Sequence, residues 1–452
     1  MRATSALLPV ATAVLLLTGC ERPRPTRRPS ADVTVSAAPG GDAKTRDLDI
    51  AFYEQRLRED PESALDRSRL AQLYLSRARE TGSYNDIERA ERLARQSLAV
   101  RESHNAGTYM LLASALLAKH DFAGALAAAR RLNVLDPESP VARGLLGEVL
   151  LEIGSYDEAG AIFRALEPSS KELAVAPRLV RWYELTGHLA QARSLARYAS
   201  VRARTEGALS REQIAWFHLR VGELALKAGD AHEADSVFAL ALSIFPDDYR
   251  VYAAAARAAA LRGRWRDAIA AGEKSVATQL DPATLGVLSD AWSALGDTAQ
   301  AASYARAMTA SALAQPGAIH RAWGLFLVDR HRDVKDVLAR VRREQRTRRD
   351  VYGNDLLAWS LHALGREREA WAAARRAVAQ GTEDAQLWYH AAEIAHAAGS
   401  DTEARALADR AAALNPRFSP SGPARLAALR VALGGDTRTQ APLPAARATG
   451  GR

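Results

Sequence analysis

A small residue returns along this chain at a nearly fixed interval. Ala125, Ala159, Ala192, Ala234, Ala268, Ala301, Ala370 and Ala404 are separated by steps of 34, 33, 42, 34, 33, 69 and 34 residues. The 69-residue step holds two units, one of them degenerate. A period near 34 is the mark of stacked helix–turn–helix units, each too small to bury its own apolar face and dependent on its neighbours. The expected fold is all-α, a right-handed α-solenoid of about ten units. Such an array exposes long surfaces and seldom carries chemistry of its own.

Residues 106–139 explain the beat. Tyr109, Leu112, Ala113 and Leu116 fall at i, i+3, i+4 and i+7, one face of a first helix. His120-Asp121 breaks it, and Phe122, Ala125, Ala129 and Leu132 line a second helix that ends at Asp136-Pro137, because proline lacks the amide proton and clashes with the preceding turn. Alanine at 113 and 125 lets the two axes approach closely. The pattern returns at 140–173, 215–248, 249–282 and 385–418, with Trp265 and Trp388 expected in the core.

A Gly or Ala in the first helix, an aromatic before the second, an Ala within it and a Pro after it resemble the tetratricopeptide repeat family, over roughly residues 66–416. The unit near 316–350 departs from the pattern, with Asp336 where others carry alanine and Arg340 where most carry a small or aromatic residue. The 42-residue step reflects about eight extra residues near 199–212, and 49–60 reads as an N-terminal cap. The array is assigned to 46–416, followed at 417–452 by a short capping helix over Ala424–Leu433 and a basic, disordered tail.

The N-terminus has a different logic. Arg2 precedes an apolar stretch, Ala6–Leu17, that is too short for a permanent span and reads as an export signal. Leu17-Thr18-Gly19-Cys20 resembles the lipobox of bacterial lipoproteins, which implies a signal peptide at 1–19 and acylation of Cys20. Cys20 is the only cysteine, so no disulfide forms within the chain. Residues 20–45, rich in Pro and Arg, read as a disordered tether; 25 residues reach roughly 25–30 Å. The expected location is a bacterial membrane outside the cytoplasm, facing the periplasm or the outer surface.

The net charge of +8 suggests nucleic acid. Residues 21–45 hold five basic and three acidic groups and 417–452 six and one, so with Arg2 the flanks account for all of it, and 46–416 is formally neutral. A neutral array gives no general reason to bind a polyanion. One local concentration stands out. Residues 330–350 carry nine basic and four acidic side chains, which suit either an anionic surface or a solvated helix face opposite Val334, Val337, Leu338 and Val341.

No G-x-x-x-x-G-K-S/T loop, G-x-S-x-G elbow, H-E-x-x-H or C-x-x-C occurs, so neither enzyme chemistry nor a cofactor is expected. Trp359, His362, Tyr389, Glu393 and His396 form one constellation, with the two histidines one 34-residue period apart. One carboxylate and two imidazoles fall short of a zinc set, so no metal is expected. The family resemblance implies a concave face, lined by first helices, that takes a protein or peptide partner. These five residues are placed there, with Trp359, Tyr389 and His396 expected to be solvent-accessible. Glu148, Arg181, Glu223, Arg257 and Asp290 continue along the same face with alternating sign, a pattern suited to an extended polar ligand. The expected function is a membrane-tethered scaffold or adaptor in the cell envelope. The alternative is a carbohydrate-binding or polymer-export accessory lipoprotein.

Overall fold

A computed structural model describes residues 41–206, 209–314 and 319–434. Among them all regular structure is helical, with twenty-two α-helices and no strand. α1 (Gly41–Glu59) leads. Ten helix pairs follow. The first four are α2 (Ala64–Thr81) with α3 (Tyr84–Val100), α4 (Ala106–Ala118) with α5 (Phe122–Leu135), α6 (Pro140–Ile153) with α7 (Tyr156–Leu166), and α8 (Ala176–Leu185) with α9 (Leu189–Ala203). Next come α10 (Arg211–Lys227) with α11 (Ala231–Ile244), α12 (Tyr249–Ala260) with α13 (Trp265–Val276), and α14 (Pro282–Ala294) with α15 (Thr298–Ala314). The last three are α16 (Arg321–Val328) with α17 (Val334–Glu344), α18 (Val351–His362) with α19 (Glu367–Val378), and α20 (Ala385–Ala397) with α21 (Asp401–Leu414). α22 (Gly422–Ala432) closes the array.

The periodic alanines are the contacts that set this packing, and all eight are buried. In the third and fifth pairs the first helix carries glycine where the second sends in a phenylalanine. A Cβ on Gly147 would lie 2.8 Å from the Phe163 ring, and one on Gly222 would run into the Phe238 ring. Trp388 is buried as expected, whereas Trp265 is only half-buried. The divergent eighth pair is helical but short, with eight residues in α16 and eleven in α17. There Val334, Val337, Leu338 and Val341 face the core, while Asp336 and Arg340 pair with each other on the exposed side. At the other end, α1 begins at Gly41, so residues 41–45 are helical rather than the end of a tether. Residues 1–19, Cys20, the expected tether up to residue 40 and the tail beyond 434 lie outside the described residues.

Stacking alone would let each pair touch only its neighbours. Here the superhelix closes on itself after six pairs. The end of α6 meets the start of α18: the Arg349 amide donates to the Ile153 carbonyl at 3.0 Å, and the Val351 amide to the Tyr156 hydroxyl at 3.0 Å. The Thr382 hydroxyl donates to the Leu185 carbonyl at the end of α8, and Asn415 Nδ2 to the Leu226 carbonyl of α10 at 3.0 Å. Arg348 Nε reaches back to the Glu152 carbonyl at 2.9 Å. These bonds join residues 189–197 positions apart. Two glycines make the approach possible. Gly154 (φ +85°) and Gly187 (φ +76°) occupy left-handed turns, and a Cβ there would lie 2.5 Å from the Arg349 carbonyl carbon and 2.6 Å from the Gly381 oxygen.

The seam also holds a pair of imidazoles. His120, at the end of α4, faces His320, before α16, with ring centroids 5.8 Å apart. Burial, then His320 and Arg348, lower the His120 pKa to about 4, while the Glu152 carboxylate opposes the shift. A histidine depressed when folded binds fewer protons than when unfolded, so its contribution is present above its unfolded pKa and lost as pH falls through about 6.5 to 4. His218 is shifted the same way, so both add to one slope. The His120→Asn variant, which keeps a residue tolerant of positive φ, is expected to flatten stability against pH over that window in urea titrations. An unchanged slope would remove His120 from the account.

Candidate functional site in the lumen of the superhelix

First helices line the inner face, and closure of the seam brings inner residues of the two turns together. Glu184 lies at the centre and is buried. Arg181 donates to its Oε2 at 3.1 Å and Arg220 at 3.0 Å, and Lys227 Nζ is 2.8 Å from Oε1. From the second turn, the Tyr352 hydroxyl lies 2.8 Å and the Asp384 carboxylate 3.4 Å from Lys227 Nζ. Burial alone would raise the Glu184 carboxyl, but Lys227, Arg181 and Arg220 outweigh it and hold it well below the carboxylate range. Burial likewise opposes the charge on Lys227, yet Glu184, Tyr352 and Asp384 raise its pKa. Further on, Arg321 meets Asp355 at 2.6 Å, and Asp355 meets the buried His390 at 2.8 Å.

The alternating charges proposed for the groove are on this face but are largely engaged with one another. Glu148 pairs with Arg178 at 2.9 Å, and Arg181 with Glu152 at 3.4 Å as well as with Glu184. Glu223 pairs with Arg220 and more loosely with the exposed Arg257, and Asp290 pairs with Arg330.

The aromatic constellation requires correction. Trp359 and Tyr389 are buried, where solvent exposure was expected. Trp359 is sandwiched between His390, at 4.2 Å between ring centroids, and His362, at 5.1 Å, and its indole N–H donates to Asp329 at 3.0 Å. Tyr389 stacks on Phe418 at 5.1 Å, and the Arg425 guanidinium of α22 lies over the Trp359 and Tyr389 rings. The physical reason is that the chain after the last pair turns back and covers this end of the inner stripe. His362 and His396 are half-buried and do equivalent structural work one period apart: each bonds a carboxylate opening the second helix of its pair, Glu367 at 2.8 Å and Asp401 at 2.7 Å. Glu393 is half-buried beside the Tyr389 hydroxyl, whose pKa is raised by burial and then by this carboxylate.

Open space remains on the first turn. A cavity of about 850 Å³ lies between α6, α8 and α10. Glu148, Arg178, Arg181 and Arg220 line one part of it, and Trp216 and Phe217 another. Sequence reasoning found Glu148 and Arg181 but missed Trp216 and the central ion cluster. Trp216 sits in an apolar run where an aromatic reads as core. Glu184 and Lys227 stand near helix ends, where single charges read as solvated.

The sequence profile of the tetratricopeptide repeat family matches residues 110–172 and 356–423. No curated protein matches the chain. Among solved structures, yeast Tom70 is 14% identical, with 87% of this chain and 94% of that chain covered and a TM-score of 0.37. The Cut9–Hcn1 hetero-tetramer of the APC/C is 12% identical, with 86% and 94% covered and a TM-score of 0.33. A tetratricopeptide repeat protein from Parabacteroides merdae is 12% identical, with 53% and 93% covered and a TM-score of 0.37. The profile matches two stretches of an all-α chain whose helix pairs keep the same period between them, so the fold is an all-α helical repeat that is similar to the tetratricopeptide repeat over those stretches.

Proposed function

We propose that this protein is a membrane-tethered interaction scaffold of the bacterial cell envelope, exported and held by an acylated Cys20, which recruits a protein or peptide through the first-turn lumen. The observation that carries the reading is the lumen cavity, where both signs of charge and an indole line one recess of about 850 Å³. A peptide presents both signs along one extended chain, and aromatic side chains anchor such contacts. The aromatic platform that favoured a carbohydrate ligand, Trp359 and Tyr389, is packed beneath α22, so the peptide reading is preferred. The anchor rests on sequence: a sole cysteine directly after Leu17-Thr18-Gly19 at the end of an apolar stretch.

One experiment with two arms tests the proposal. A photo-crosslinking residue at 216 is expected to capture a defined protein in cells, and the same residue at buried position 359 is not. Glycan capture at 216, or equal capture from both positions, would refute the lumen as the recruiting surface. In the same strains, palmitate label is expected on wild type and absent from Cys20→Ser, which should leave the membrane fraction. Label retained by the variant would rule out acylation at Cys20.

A further inference from the structure

A second cavity, of about 580 Å³, opens at the seam beside the exposed Arg349 and Arg376, and its chemistry differs from that of the lumen. Tyr156 reaches it from the first turn, and Gln345, Arg349, Asn354 and Arg376 from the second. No carboxylate lines it. Arg349 donates through Nε to the Gln345 carbonyl at 2.9 Å. Arg376 donates to Asn354 Oδ1 at 3.2 Å and to the Ala372 carbonyl at 3.0 Å. Among the described residues neither guanidinium meets a carboxylate at ion-pair distance. Their neighbour Arg348 is the contrast, since it meets Glu344, Asp350 and Glu152. Asp350, the nearest negative charge in sequence, is buried and engaged by Arg348 and the Gly353 amide.

Two further features fit the same chemistry. Gln345 Nε2 is buried and makes no hydrogen bond within the protein, whereas buried donors are ordinarily matched. Asn354 is 4% exposed. Its Nδ2 is fixed by the Arg349 and Asp350 carbonyls, which leaves its oxygen to orient Arg376. The cavity therefore presents two forked cations, with the Tyr156 ring and Leu357 as an apolar wall. Guanidinium groups in this setting match the planar or tetrahedral oxygens of carboxylates and phosphates.

We propose that this cavity binds an anionic group, a phosphate or carboxylate carried on a small polar molecule such as a sugar. Arg349 and Arg376 bind the oxyanion, Asn354 positions Arg376, and the unpaired Gln345 amide, beside Gly353, supplies a third donor by turning toward it. The walls come from both turns, so the ligand binds only the closed superhelix and stabilises it by mass action. The site is separate from the lumen and does not depend on its partner.

The full-length chain is titrated at low ionic strength with glucose 6-phosphate, glucuronate and neutral glucose, following melting temperature and hydrogen exchange at 153–156 and 345–357. At least one anionic sugar is expected to raise the melting temperature by several degrees and slow exchange on both sides of the seam, with glucose inert. Arg349→Gln with Arg376→Gln is expected to weaken that sugar at least tenfold, and Arg349→Gln alone serves if the pair does not fold. The Arg349 backbone bond to Ile153 survives either change. Arg343→Gln with Arg346→Gln removes the same charge outside this cavity and is expected to leave affinity within twofold. The proposal is overturned if no anionic sugar binds, if glucose binds equally, if the cavity variants bind as wild type, or if the control pair loses as much.

Discussion

Gly154→Ala is expected to destabilise the protein by several kcal/mol, whereas Gly365→Ala costs only ~1–2 kcal/mol. Both glycines end a first helix with positive φ, +85° and +71°, so both substitutions carry the same left-handed strain. They differ in what lies beyond the turn. The new methyl at 154 would meet the Arg349 carbonyl carbon at 2.5 Å and the Asp350 amide nitrogen at 2.8 Å, backbone atoms that can move only if the second turn lifts away. Nothing lies within 4 Å at 365. Urea denaturation of the two variants separates seam from strain, and equal losses would mean that the turns do not bear on each other.

Removing Glu184 is the second large effect. Its carboxylate is the common partner of Arg181, Arg220 and Lys227. Glu184→Ala leaves Lys227 with the more distant Asp384 and returns little through packing, since a buried ion stripped of its partner costs about 3–5 kcal/mol. Glu184→Ala with Lys227→Met is expected to recover part of that loss, because the orphaned ammonium goes with it. A double variant no more stable than the single one, measured by the same denaturation, would show that the cluster does not act as a unit.

What the sequence discloses here is local, and what it hides is cumulative. The alanine beat placed eight of the ten second helices, because one close contact per unit must recur in the same phase. The eighth pair was legible despite its charges, because Val334, Val337, Leu338 and Val341 keep a helical stripe. The seam was not legible: it depends on a small rotation per unit summed over six units, and no single unit encodes the sum. Gly154 and Gly365 read alike as helix ends, yet only one meets another turn. The aromatic constellation failed for a related reason. Trp359 and Tyr389 lie on the inner face as their phase required, but Phe418 and Arg425, in a segment with weak periodicity, cover them. Lys227 and Glu184 looked like ordinary charges near helix ends, because the second partner of Lys227, Asp384, opens the tenth pair, five units on.

The closed seam limits the groove to the first-turn recess, places an anion site between the turns, and couples pairs that stacking alone would leave independent. Its most direct test is covalent. A Cβ on Gly82 would lie 2.9 Å from Gln279 Cβ, close enough for small shifts to reach the Cβ–Cβ separation of a disulfide, about 3.5–4.5 Å. In a Cys20→Ser background, Gly82→Cys with Gln279→Cys is expected to form an intramolecular disulfide on mild oxidation, seen as faster migration on a non-reducing gel and a raised melting temperature. If both thiols stay free in the folded protein, the turns stand apart and the closed superhelix is wrong.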